Sequence, residues 1–195
     1  MKIVLISGKQ GSGKTTLQKA LCASWAMRYS KPAFAMNFAD ILYEMHDAVL
    51  SVFHKYHPPR NIAKDGPLLQ LLGTEWGRNT IHTDIWVKCL KSKIEKTGVT
   101  YPEGLFVIGD ARFENEFDTF PEALRVRLVC DEDVRKQRCS MWRENVNHPS
   151  EIGLDKYATD GRFDLYYATE IESVEHVVEL ILAQLQKSTW FEKRK

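Results

Sequence analysis

The chain has 195 residues, 44% of them hydrophobic and 11% aromatic, with 27 Lys plus Arg against 26 Asp plus Glu and a net charge of +1. A single domain of this length hides roughly 70% of the surface its unfolded chain would expose, so it needs no disulfide or metal staple to fold. The balanced charge excludes the broad positive field on which nucleic-acid and anionic-membrane binding depends, so neither partner is expected.

The opening run Met1-Lys2-Ile3-Val4-Leu5-Ile6 has strand character. It is too short for a secretory core and stops at Gly8 and Lys9 rather than at a small-residue cleavage site. No stretch reaches the apolar length of a membrane span. Cys22, Cys89, Cys130 and Cys139 match no zinc or redox spacing. Reduced thiols and a cytoplasmic location are therefore expected.

Along the chain, apolar runs of strand length are predicted at residues 2–7, 33–36, 104–109, 125–130 and 165–168. Helical periodicity falls between them. Thr15 to Tyr29 carries Leu17, Leu21 and Trp25 on one face, and Phe38 to Phe53 carries a second apolar stripe. Further helices fit 67–73, 82–96, 132–143 and 173–187, the last capped by Ser173 or Thr169. Residues 54–67, with Pro58-Pro59 and Asp65-Gly66-Pro67, read as a loop. Alternation of this kind signals a parallel sheet with helices on both faces.

Directly after the first strand stands Gly8-Lys9-Gln10-Gly11-Ser12-Gly13-Lys14-Thr15, a full match to the phosphate-loop pattern G-x-x-x-x-G-K-[ST]. Glycines let successive backbone N–H groups converge on a polyphosphate, and the helix that follows adds the positive end of its dipole. Gly8, Gly11, Ser12, Gly13, Lys14, Thr15 and Thr16 are thus the residues expected to bind ATP or GTP. Lys14 would reach the β and γ phosphates, and Thr15 would join the magnesium shell.

A second motif is the buried run Leu105-Phe106-Val107-Ile108-Gly109-Asp110-Ala111-Arg112. It delivers a carboxylate and a guanidinium to the carboxyl edge of the sheet, where open parallel sheets bind ligands. Asp110 is placed to hold water on magnesium, and Arg112 to grip a second phosphate by its fork. The plain alternative is an Asp–Arg pair that only ends a strand. Farther on, Arg135, Arg138 and Arg143 fall on one helical face, either a lid that closes on a transferring phosphoryl group or a solvated basic surface.

These residues resemble the nucleoside monophosphate kinases, the bacteriophage deoxynucleoside monophosphate kinases in particular. Beyond the phosphate loop, the resemblance rests on Leu68-Leu69-Gln70-Leu71-Leu72-Gly73-Thr74 with Trp86-Val87-Lys88 downstream, on Asp110-Ala111-Arg112 with Glu116, on His148-Pro149-Ser150-Glu151, and on Phe163 to Tyr167. It implies a three-layer P-loop fold with a five-stranded parallel sheet in one domain, residues 1–195. An acceptor-binding segment is expected at about 37–88 and a small lid at about 132–156.

The implied activity is transfer of the γ-phosphoryl of ATP, with Mg2+, to a deoxynucleoside monophosphate. On the resemblance, Lys14, Arg112, Arg135 and Arg138 are the catalytic residues. Phe38, Asp40, Arg78, Asp84, Trp86, Arg112, Arg143 and Glu151 meet the acceptor, and Thr15 and, through water, Asp110 serve the metal. Trp86 and Phe38 fit a stacking role or plain core, Asp40 a sugar contact or a helix cap, and Arg78 an acceptor-phosphate contact or an exposed helix end. Two other uses of the loop stay open: a kinase for another small acceptor of the phosphomevalonate or dephospho-coenzyme A type, and a non-catalytic ATP-binding switch. A homodimer is compatible with either.

Overall fold

In the computed structural model, residues 1–57, 65–139, 142 and 149–187 are described. Arg143 and His148 lie outside them, as does most of the loop before Asp65. The chain divides into two compact units, one of Met1–Asn37 with Ile94–Lys195 and the other of Phe38–Lys93.

The first unit is built on a five-stranded sheet whose order is β2-β3-β1-β4-β5, with every neighbouring pair parallel. The strands are β1 (Lys2–Gly8), β2 (Ala33–Met36), β3 (Leu105–Ala111), β4 (Leu124–Val129) and β5 (Leu165–Ala168). Each lies within two residues of its predicted position, because an apolar run covered on both faces is legible by length and composition alone. Helix α1 (Lys14–Tyr29) places Leu17, Leu21 and Trp25 against Val4, Ile6, Val107 and Val126. Helix α9 (Val174–Gln186) adds Val177, Val178, Ile181, Leu182 and Leu185 to the same cluster, and Ser173 caps it by accepting the His176 N–H at 3.2 Å. Each such buried side chain contributes about 1.5–3 kcal/mol.

The opposite face is aromatic. Phe117, from the short helix α5 (Glu114–Asp118), meets Tyr157, from α8 (Asp155–Thr159), and Phe163 edge-on, with ring centroids 5.0 and 4.9 Å apart. These helices, with α7 (Pro149–Ile152), escape sequence periodicity because a one-turn helix shows too little of it. The predicted helix 132–143 forms as α6 (Glu132–Arg138) and ends at Cys139, whose backbone turns extended with φ −105° and ψ 100°.

In the second unit, α2 (Asp40–Tyr56) starts behind Ala39, so Asp40 is the first helical residue rather than the cap and meets the helix dipole from inside the first turn. Helix α3 (Gly66–Gln70) opens on Asp65, whose Oδ1 accepts the Leu68 N–H at 3.0 Å. The helix then widens instead of ending at residue 73, and an 11-residue π-helix runs from Leu71 to Ile81 before α4 (Ile85–Thr100). Gly73 and Gly77 explain the wide turn. The Trp86 indole donates to the Gly73 carbonyl at 2.9 Å, and a Cβ on Gly77 would sit 2.5 Å from Trp86 Cζ2 and 2.7 Å from the Leu72 carbonyl oxygen. A Gly77→Ala substitution should therefore destabilise the chain by about 1–3 kcal/mol, lowering the urea midpoint at constant m-value.

Candidate phosphate-transfer site

The loop between β1 and α1 is held in left-handed conformations at Gly11 (φ 77°) and Gly13 (φ 91°), which only glycine adopts without strain. Gly11 is doubly required, because a Cβ there would lie 2.7 Å from the Arg135 carbonyl oxygen. Lys14 curls back over the loop and donates to the carbonyls of Gly8 and Lys9 at 2.6 and 2.8 Å. Burial pushes its ammonium down to about 8, helped by the like charges of Arg112 and Arg127 and opposed by Glu151 and Asp110. Thr15 and Thr16 are exposed at the start of α1. Ser12 is buried, and among the described residues its hydroxyl has no hydrogen-bond partner.

Around this loop stand cations that the fold delivers from several strands. Arg112 follows β3, and Glu116, three per cent exposed, accepts its backbone N–H at 2.8 Å and that of Phe113 at 3.2 Å. Its guanidinium pairs with Glu151 at 3.1 Å. Glu151 also accepts the Gln10 N–H at 2.8 Å, so the predicted acceptor contact instead bonds the protein's own loop and arginine.

Arg127, which sequence reasoning missed, projects from β4 to Ser7 Oγ at 3.0 Å and to Asp155 at 2.6 Å, and Asp155 reaches Lys9 at 3.0 Å. The signal was present in the alternation Leu124-Arg125-Val126-Arg127-Leu128. Arginines on a strand between two neighbours are buried, and a buried arginine requires partners.

One lid assignment is corrected. Arg135 is only 6% exposed and donates to the carbonyls of Cys130 and Gln10, at 3.2 and 3.1 Å, so it is a strut beneath the loop rather than an open phosphate grip. Arg138 donates to Thr169 Oγ1 and O at 3.1 and 3.0 Å. There it borders a cleft of about 220 Å³ that Gly13, Thr16, Leu17, Leu128 and Val177 also line, at the start of α1.

In the second unit, Phe38 and Trp86 are 3% and 4% exposed. They are core residues, without an open ring face for stacking. Arg78 lies in the π-helix, and Asp84 follows it with its N–H bonded to His82 Nδ1 at 2.9 Å; both side chains are half-buried.

The donor set beside the loop is oxygen-rich: the Thr15 hydroxyl, the Asp110 carboxylate at the end of β3 and the Ser12 hydroxyl without a partner. Oxygen donors suit Mg2+. Among the described residues no cluster of three His, Cys, Asp or Glu could hold a metal unaided, so the fit is to a metal brought with a phosphate chain. No described helix is long and apolar enough to cross a membrane.

No protein-family model matches the chain. A stretch of 96 residues, 47% of this chain, is 34% identical to the deoxynucleoside-5'-monophosphate kinase of Escherichia phage T5 and covers 36% of that relative's length. Among solved structures, TT1252 from Thermus thermophilus matches with a TM-score of 0.53 at 16% identity, over 95% of this chain and 98% of that one. The shikimate kinase of Acinetobacter baumannii, in complex with shikimate, matches with a TM-score of 0.51 at 14% identity, over 95% and 93%. The chain therefore has the fold of that kinase, built here on five parallel strands with the phosphate-loop motif after the first.

Because a phosphate chain set against Lys14 restores its ammonium, binding of Mg-ATP above pH 8 should take up a proton. Affinity should fall as pH rises beyond that point, approaching about tenfold per pH unit. Titration calorimetry in two buffers of different ionisation enthalpy measures both effects; pH-independent affinity from pH 7 to 9.5 would contradict them.

Proposed function

We propose that this protein is a P-loop kinase that transfers the γ-phosphoryl group of ATP to the phosphate of a deoxynucleoside monophosphate. One observation carries the reading: a second cation beyond the loop motif, Arg112, follows β3 beside the phosphate loop, paired with Glu151 and with its side chain 37% exposed. A guanidinium in that place can grip a second phosphate by its fork. The partial identity with the phage kinase supports the same acceptor class.

The chemistry suits these residues. A phosphate monoester loses its second proton near pH 6, so at neutral pH the attacking oxygen is already ionised and no general base is required. That oxygen forms a bond to the γ-phosphorus as the bond to the β–γ bridging oxygen breaks, giving ADP and the deoxynucleoside diphosphate. Two polyanions must meet in line, so the protein's contribution is positive charge and alignment.

Backbone N–H groups of the loop and Lys14 hold the donor, while Arg112 holds the acceptor phosphate. The cleft beside Arg138 takes the base of ATP, where a guanidinium fixed by Thr169 offers a flat stacking surface. Thr15 and, through water, Asp110 would hold Mg2+, which neutralises phosphate charge.

Incubation with Mg-ATP and each of the four deoxynucleoside and four ribonucleoside monophosphates, with ADP formation coupled to absorbance, tests the proposal. Turnover is expected on at least one deoxynucleotide. An Arg112→Ala variant should raise the acceptor KM by about 10–100-fold, the loss of one charge-assisted contact, and leave Mg-ATP binding near wild type at pH 7. A sample that binds Mg-ATP but turns over none of the eight would overturn the assignment.

A further inference from the structure

The carboxylate of Glu151 is 6% exposed and is shared between two partners on opposite sides. Oε2 accepts the Gln10 N–H of the phosphate loop at 2.8 Å, and Oε1 meets Arg112 Nη1 at 3.1 Å. The backbone around it is set as firmly. Gly153 closes α7 with a hydrogen bond to the Pro149 carbonyl at 2.8 Å, and a Cβ there would lie 2.6 Å from the Arg112 carbonyl oxygen. On the other side of the same residue, the Gln10 carbonyl accepts from Arg135 at 3.1 Å. A chain of contacts therefore runs from Arg112 through Glu151 and Gln10 to Arg135.

We infer that Glu151 is a positioning residue: it ties the loop that holds the donor phosphates to the arginine that holds the acceptor phosphate, and so sets the alignment of the two for in-line transfer. This rests on the kinase reading above. A direct contact with the acceptor does not suit the same carboxylate. Against a phosphate dianion it would be repulsive, and against a sugar or base it has almost no accessible surface. An ion pair with no further role is the competing account. It predicts lower stability and unchanged kinetics in the folded fraction, whereas misalignment of reacting groups by about 1 Å costs up to about a hundredfold in rate.

Two variants separate these accounts. Glu151→Gln keeps the shape and an acceptor for Gln10 but loses the charge that fixes Arg112, and Glu151→Asp keeps the charge on an arm too short to reach both partners. At a temperature where circular dichroism shows each variant folded, kcat on the preferred monophosphate should fall about 10–100-fold in both, with the Mg-ATP Kd within about threefold of wild type. In a double-mutant cycle with Arg112→Ala, Glu151→Gln should cost little more, because it acts through that arginine. Hydrogen exchange at the Gln10 amide, read by NMR without any substrate, should quicken in Glu151→Asp. Wild-type kcat in both variants, or full additivity in the cycle, would overturn the positioning role, and unchanged Gln10 exchange would overturn the tether itself. Absence of turnover by the wild type would tell against the kinase reading, while the exchange measurement still judges the tether.

Discussion

Above the strut Arg135, the side chains of Lys9, Lys14, Arg112 and Arg127 crowd the phosphate loop, and carboxylates from elsewhere in the chain stand among them. Lys9 and Arg127 share Asp155, while Arg112 takes Glu151. The residual repulsion shows in Lys14, whose ammonium is depressed by burial and by its two arginine neighbours despite Glu151 and Asp110. Such a cluster is poised for an incoming anion: added negative charge relieves repulsion already present in the free protein, so polyphosphate binding gains from charges fixed in place beforehand.

The same charges explain an otherwise odd strand. On β4, Leu124, Val126 and Leu128 face the α1–α9 core, whereas Arg125 and Arg127 turn to the aromatic face and are buried there. Arg125 lies over Phe117, 4.6 Å from its centroid, and donates to the carbonyls of Phe117 and Phe120. Arg127 lies 5.7 Å from the Phe163 centroid before reaching Ser7 and Asp155. One strand thus supplies packing to one face and charge to the other, a division that period-two alternation makes available without extra chain.

Much of this was legible in the sequence. The loop motif is local, its glycines and lysine act within one turn of chain, and the five apolar runs are marked by composition. The networks were not legible, because they join residues far apart: Gln10 with Glu151, Ser7 with Arg127, and Gln10 with Arg135. Periodicity puts Arg135 and Arg138 on one helical face. It says nothing of the loop carbonyl that claims the first or the Thr169 that claims the second. The wide turn of Leu71–Ile81 was hidden for a similar reason, since Trp86, which packs against it, comes after it in the chain. Phe38 and Trp86 look the same in sequence whether they stack on a base or fill a core, and burial alone tells the two apart.

The order of the sheet has a consequence for biosynthesis. The central strand β1 leaves the ribosome well before its neighbours β3 and β4, so Lys2 waits for Leu105 and Val4 for Leu124. The acids that steady the phosphate loop, Glu151 and Asp155, emerge later still. During translation the nascent chain therefore carries an apolar strand without its partners and a cationic loop without its counter-ions, a period in which chaperone protection matters most. The charge-balanced loop becomes available only once Asp155 has emerged.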